Sequence, residues 1–257
     1  MSKKIYISAG HGINGDPGAV GIAGTRIEAD DNLTLSIAVE QAAKNRGYQT
    51  RMARTVKNLI GSFDRIRDAT NWGADCYIEI HRNGSNDPTA NGWEIWTSRN
   101  PSSGSTALAN AINKRTIEAG VQSQRGIKKN TRNVDRMESL NPHMPCVLTE
   151  HGFVNNTRDN QLFDQNLSAY ANAIVTALDD VYGAVPAPQN PTEYRARVQA
   201  SALNIRKGAG VNFDIAGMIT DNGVYTIVEE RDGLGAGRWG RLKSGVGWIA
   251  LDFCERL

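Results

Sequence analysis

The 257-residue chain has only three cysteines, Cys76, Cys146 and Cys254. An odd, scattered set is not a disulfide framework, and the absence of any CxxC pair argues against a thiolate metal site. Cys76 and Cys146 stand in apolar runs and read as buried thiols. A large charge of one sign is also missing. The formal net charge of +2 is too small to argue for a nucleic-acid partner. No apolar run approaches the roughly 18–20 residues of a membrane helix, so no membrane partner is expected. The opening Met1-Ser2-Lys3-Lys4-Ile5-Tyr6-Ile7-Ser8 has two lysines but no apolar stretch behind them, and does not read as a signal peptide. The expectation is cytosolic accumulation, or exit by a route not written in that segment. What remains, at 40% hydrophobic and 22% charged residues, is the mix of an ordinary soluble protein. Its length suits one full α/β domain plus something small. Nothing in it speaks to oligomeric state.

The clearest boundary is Gly183-Ala184-Val185-Pro186-Ala187-Pro188-Gln189-Asn190-Pro191. Such spacing of prolines makes a semi-rigid extended linker, placed at 183–192 between a domain at 1–182 and another at 193–257. The first part alternates strand and helix signals. Strands are expected at 4–8, 48–53, 76–81, 93–97 and 145–150. Helices are expected at 31–46, 62–72, 103–119 and 167–182, with Ser62 as an N-cap and with Gly47 and Gly120 as stops. That alternation predicts an α/β sandwich with a largely parallel sheet. In the second part, short β-rich segments at 194–199, 216–220, 225–230, 239–242 and 247–251 lie between glycine-rich turns. This is the pattern of a small all-β barrel.

Four segments carry candidate chemistry. In Ser8-Ala9-Gly10-His11-Gly12, a histidine flanked by glycines sits just past the first strand, where sites gather in open α/β sheets. Alone it is equally a loop histidine without a role. Glu28 stands before the next helix, where an acid also simply favours the positive helix end, as Asp30 and Asp31 do. In Tyr77-Ile78-Glu79-Ile80-His81, strand alternation puts Tyr77, Glu79 and His81 on one face. Glu79 there is either an orienting partner of a ligand histidine or an edge residue facing water. Glu150 ends an apolar strand, and His151 after it points the opposite way and reads as structural. Cys146 and His151 lack the orienting third group of a Cys–His hydrolase. Asn156 opens a helix-like stretch with Asp159 three residues on, as in a capping box. Taken together, two histidines and two glutamates lie at or near strand ends of one sheet. Two imidazoles and one carboxylate suit zinc with an open fourth position, and leave the other carboxylate free for acid/base work.

The order of motifs is Gly10-His11-Gly12, then Glu28, Arg54-Thr55, Arg67 before Asn71, Ala74-Asp75, Glu79-Ile80-His81-Arg82-Asn83, and Glu150 with Gly152-Phe153-Val154-Asn155-Asn156. Over residues 4–182 it resembles the zinc-dependent N-acetylmuramoyl-L-alanine amidases of the Amidase_3 type. The resemblance implies a central six-stranded sheet, Zn2+ held by His11, Glu28 and His81, and Glu150 as acid/base. It also implies cleavage of the amide between muramic acid and L-Ala in bacterial peptidoglycan. Glu79 stands where many members carry Ser, and phage-type members resemble this chain in having Glu there.

The tail, through Ala202-Leu203-Asn204-Ile205-Arg206-Lys207-Gly208, Trp239-Gly240-Arg241-Leu242 and Gly245-Val246-Gly247-Trp248-Ile249, is similar to bacterial SH3-like domains that bind cell wall. Tyr225, Trp239 and Trp248 are candidates for a binding groove or for the core of a small barrel, and Trp248 reads as core. The build as a whole resembles a phage or prophage endolysin, released to the wall through a holin. Two rival expectations are a zinc peptidase cutting the stem or cross-bridge, and a wall-binding protein without activity.

Overall fold

The computed structural model describes residues 2–21, 24, 26–129, 143–183 and 193–257. The chain forms two compact units, Met1–Val185 and Pro186–Leu257. Apart from Gly183, the linker expected at 183–192 falls outside the described residues.

The first unit is built from β1 (Lys4–Ala9), α1 (Glu28–Asn45), β2 (Gln49–Met52), α2 (Ser62–Trp72), β3 (Cys76–Asn83), β4 (Trp93–Thr97), α3 (Ser103–Ala119), β5 (Gln124–Lys129), β6 (Cys146–Phe153) and α4 (Thr157–Tyr182). Its strands form one six-stranded sheet in the order β2-β1-β3-β6-β4-β5. The first four run parallel, and β4 turns antiparallel against β6. The α/β expectation with a largely parallel sheet flanked by helices therefore holds.

Period-2 alternation divides the sheet into two faces. Ile5, Ile7, Ile78, Ile80, Val147 and Ile95 meet residues of α1, α3 and α4 such as Leu35, Val39, Ile112 and Ile174 in one buried cluster. Tyr6, Tyr77, Cys146 and Leu148 meet Ile66 and Ala69 of α2 in another. The rows of this second face continue toward the strand ends as Ser8, Glu79, His81 and Glu150. Apolar packing on α2 thus gives way to polar side chains at one end of the sheet.

Several boundaries differ from the sequence reading. Helix α1 starts at Glu28 rather than at 31, its first turn carrying Glu28, Asp30 and Asp31. Gly61, not Ser62, occupies the N-cap position of α2, and Gly73 at φ 70° closes it. Helix α4 begins at Thr157, capped by the Asn156 side chain, and breaks at Asn166 before the stretch predicted from 167. Asn166 Nδ2 donates to the Leu162 carbonyl, a local bond that competes with the helix ladder. Strand β5, Gln-Arg-Gly-Ile-Lys-Lys, went unread because an edge strand of mostly polar residues has no apolar alternation to show.

The second unit contains β7 (Tyr194–Val198), β8 (Leu203–Arg206), β9 (Ile215–Ile219), β10 (Val224–Gly233), β11 (Ala236–Leu242), β12 (Trp248–Ala250) and β13 (Cys254–Arg256). They make a seven-stranded sheet in the order β13-β7-β10-β11-β12-β8-β9. Every pairing is antiparallel. Trp239 and Trp248 are 2% and 6% exposed inside its apolar cluster, with Tyr225 packed against it. The two tryptophans are core rather than groove, while Tyr225 is partly buried and donates its hydroxyl to Asp221 at the surface. Among the described residues, no helix of the chain is long and apolar enough to cross a membrane.

Candidate metal centre and active site

The site is assembled where β1, β3 and β6 end. Gly10 N donates to the Ile80 carbonyl and ties the end of β1 to β3. A Cβ on Gly10 would lie 2.2 Å from the His81 ring, so only glycine lets the two strand ends approach this closely. The next residue, His11, has φ 58°, the sole non-glycine with positive φ among the described residues. Such a conformation costs on the order of 1–3 kcal/mol and persists where surroundings enforce it. Here a Gly12–Asp16 bridge closes the turn, and the buried Arg54 guanidinium donates to the carbonyls of Ala9, Gly10 and Ala29. Gly18 then passes under the centre, where a Cβ would meet Glu28 and His11 at 2.6 Å.

These constraints bring the imidazoles of His11 and His81 to Glu28. Glu28 Oε1 lies 2.8 Å from His81 Nδ1 and 3.3 Å from His11 Nε2. One donor atom from each residue falls within 4.8 Å of the others. Glu28 Oε2 accepts from Ala19 N at 2.7 Å, and Asn32 and the Arg82 backbone N–H donate to Oε1. Burial works to raise the Glu28 carboxyl, but the two histidines outweigh it and hold it well below the usual range. Its helix neighbours are spent elsewhere: Asp30 on Lys57, Asp31 on Arg26 and Arg82. The three first-turn acids thus part company by partner, and only Glu28 faces the imidazoles. Two imidazoles and a carboxylate converging in a largely buried place fit a divalent transition metal of zinc's type.

Glu150 pairs in register with His81 across β3 and β6 and with Glu94 across β6 and β4. Its Oε2 is buried without a hydrogen-bond partner. Burial, reinforced by the negative charges of Glu28, Glu94 and Glu79, pushes the Glu150 carboxyl up to about 8 against the pull of His81. A carboxyl poised near neutrality in such a place can both take and give a proton.

Glu79 is buried, as alternation toward the site requires, and does not face water at an edge. Its Oε1 accepts from Arg65 Nη1 at 2.9 Å and lies 3.5 Å from His81 Nε2. His151 points to the opposite face. Its Nε2 lies 3.0 Å from Thr149 Oγ1 and its ring meets Tyr170 edge-on, a structural role. Asp159 does not return a capping-box bond; it accepts from Phe153 N and Gly92 N.

The profile of the N-acetylmuramoyl-L-alanine amidases matches residues 5–180. The chain belongs to this family. The sporulation-specific N-acetylmuramoyl-L-alanine amidase of Bacillus subtilis is 31% identical over 186 residues, covering 68% of either chain. The endolysin of Bacillus phage SPP1 is 29% identical over 218 residues, 82% of this chain and 69% of its own. Among solved structures, the catalytic domain of CwlV from Bacillus (Paenibacillus) polymyxa var. colistinus is 30% identical with a TM-score of 0.63, covering 71% of this chain and 99% of that one. An N-acetylmuramoyl-L-alanine amidase from Clostridium difficile 630 is 28% identical with a TM-score of 0.64, covering 70% and 96%.

Within this amidase-family unit the sequence motifs missed three side chains. Arg67 is exposed and pairs with Asp64, whereas Arg65, two residues earlier, is the arginine that reaches the site. Helical spacing carried that signal, since Arg65 shares the buried face of α2 with Ile66 and Ala69. Glu94, buried beside Glu150, accepts from Asn83 Nδ2, Trp96 Nε1 and Arg125 Nε. Asp16 lies 2.9 Å from His11 Nδ1. Burial works to raise its carboxyl, and His11 with the Gly18 N–H brings it below the usual value.

Proposed function

We propose that this chain hydrolyses the amide between N-acetylmuramic acid and L-alanine in bacterial peptidoglycan, with zinc held by His11, Glu28 and His81. The observation that carries the reading is the meeting of three metal donors with a buried, unpartnered carboxylate oxygen on the adjacent strand. Bound there, zinc supplies Lewis acidity, which lowers the pKa of water toward ~7 and polarises a carbonyl. The chain's own residues do the rest. Glu150 takes the proton from the attacking water at Oε2 and returns it to the leaving amine of L-alanine. The Glu28 carboxylate stays charged under its hydrogen bonds. The glycines at positions 10 and 18 leave the approach free of side chains.

The second unit, as an SH3-like module, keeps the enzyme on its polymer and raises the local concentration of scissile bonds. The likeness to a phage endolysin supports a lytic role in which the protein gathers inside the host and acts at the wall after release through a holin. The deciding experiment is product analysis on purified peptidoglycan with and without a zinc chelator. New N-terminal alanine without new reducing ends, abolished by chelator and restored by zinc, is the expected result. A different new amino terminus would make the enzyme a stem or cross-bridge peptidase. Retention on the wall without products would reduce it to a binding protein.

A further inference from the structure

Each of the two histidines has a second carboxylate behind it, and the two settings differ. His81 turns Nδ1 to Glu28 and Nε2 toward Glu79. The Glu79 side chain is 2% exposed and is clamped by Arg65, whose Nη1 also donates to Ser8 Oγ and the Ala9 carbonyl. His11 is turned the other way, with Nε2 to Glu28 and Nδ1 to Asp16. The Asp16 side chain is 53% exposed and that of His11 23%, against 5% for Glu28 and 7% for His81. Of the three donors, His11 is therefore the one open to solvent, and Asp16 stands outside it.

We propose that these carboxylates divide the handling of the metal: Asp16 is the exposed acid through which a divalent cation arrives, and Glu79 is a positioning residue that holds His81 and slows the cation's departure. The inference rests on the metal reading above. An exposed negative charge beside an opening raises the local concentration of cations and acts on arrival. A buried carboxylate behind a ligand fixes the tautomer and orientation of that ligand and acts on retention. Glu79, walled in by Arg65 and the strand ends, has no path by which to meet an incoming ion.

The test is stopped-flow measurement of Zn2+ association and, against a chromogenic chelator, dissociation, on the full chain without any wall substrate. Asp16→Asn should slow association about tenfold, change dissociation far less than Glu79→Gln does, and flatten the dependence of association on salt. Glu79→Gln should speed dissociation about 10–100-fold with association unchanged. If that variant does not fold, Glu79→Asp, which keeps a charge for Arg65, should move the same rate constant in the same direction. Both variants acting chiefly on the same rate constant, or neither acting on any, would overturn the division while leaving a zinc-binding wild type intact. A wild type that takes up no zinc would overturn the metal reading and this inference together.

Discussion

The two units bury different things. The first buries Glu28, Arg54, Arg65, Glu79, His81, Arg82, Glu94, His151 and Asp159. Among the described residues of the second, no charged side chain is buried, and its core is apolar throughout. The charges of the second unit pair at its surface instead, as Arg238 does with Glu230 and Asp232. Burying a charge is costly, and a hydrophobic replacement of similar volume is often as stable or more so. Such a cost is tolerated where chemistry uses it, and strongly shifted carboxyls collect at functional sites. In the first unit they gather at one end of one sheet. The second unit has no comparable interior, so whatever it recognises it must meet on its outside, where Phe213, Ile215, Met218 and Leu234 are exposed.

The sharpest way to break this contrast is at Glu150. Glu150→Gln should lower hydrolysis by about 10²–10⁴-fold, the range of a lost general acid/base, while the protein keeps its zinc. Turnover and bound metal measured on the same sample decide it, and full activity would remove Glu150 from the mechanism. Next comes the cost of unpairing. Arg65→Met leaves Glu79 buried beside His81 without its clamp and should cost about 3–5 kcal/mol. Arg238→Met in the second unit, where the side chain is half exposed, should cost under about 1 kcal/mol. Urea unfolding read by hydrogen exchange in each unit compares them, and equal losses would erase the distinction between buried and surface charge.

His11, His81 and Glu150 were legible because strand-end geometry writes itself locally, whereas Glu28, in the first turn of α1 beside Asp30 and Asp31, was singled out only by the family resemblance. A histidine between glycines, a Glu-x-His run in alternation and a glutamate closing an apolar strand each sit within a few residues of sequence. Arg65, Glu94 and Asp16 were not legible, because their meaning is non-local. Arg65 acquires its role from a strand 14 residues away, and Glu94 from an antiparallel neighbour that only the sheet order supplies. Asp16 depends on a left-handed residue that folds its loop back on itself. The same holds for the tail, where the sequence announced β-structure and a core position for Trp248 but could not say that Trp239 also turns inward.

The surface reading of the second unit has its own test. Phe213→Ser with Leu234→Ser should weaken retention on purified wall about tenfold, roughly 1.4 kcal/mol. Surface changes of this kind should move stability by about 0.5 kcal/mol or less each. Co-sedimentation of the full chain measures retention. Unchanged retention, with the double variant folded, would send the search to another face of the unit.

The smallest effect near neutrality belongs to His151, a buried ionisable group of the first unit that the chemistry does not use. Burial, reinforced by the Arg82 charge, depresses its imidazole from 6.5 to about 3. The sign follows from which state binds protons. Above 6.5 the ring is neutral whether folded or not, and its stabilising contribution is complete. As pH falls from 6.5 toward 3, the unfolded chain takes up a proton that the folded chain refuses, so stability is lost across that window. The slope is at most about 1.4 kcal/mol per pH unit, and between pH 7 and 6 the loss stays below about 1 kcal/mol. His151→Phe keeps an aromatic ring against Tyr170 and removes the titration. Its melting temperature should therefore fall less steeply than that of the wild type as pH is lowered from 6.5. Parallel curves would mean that His151 is protonated in the folded chain, and that a buried charge in this unit can stand outside its chemistry.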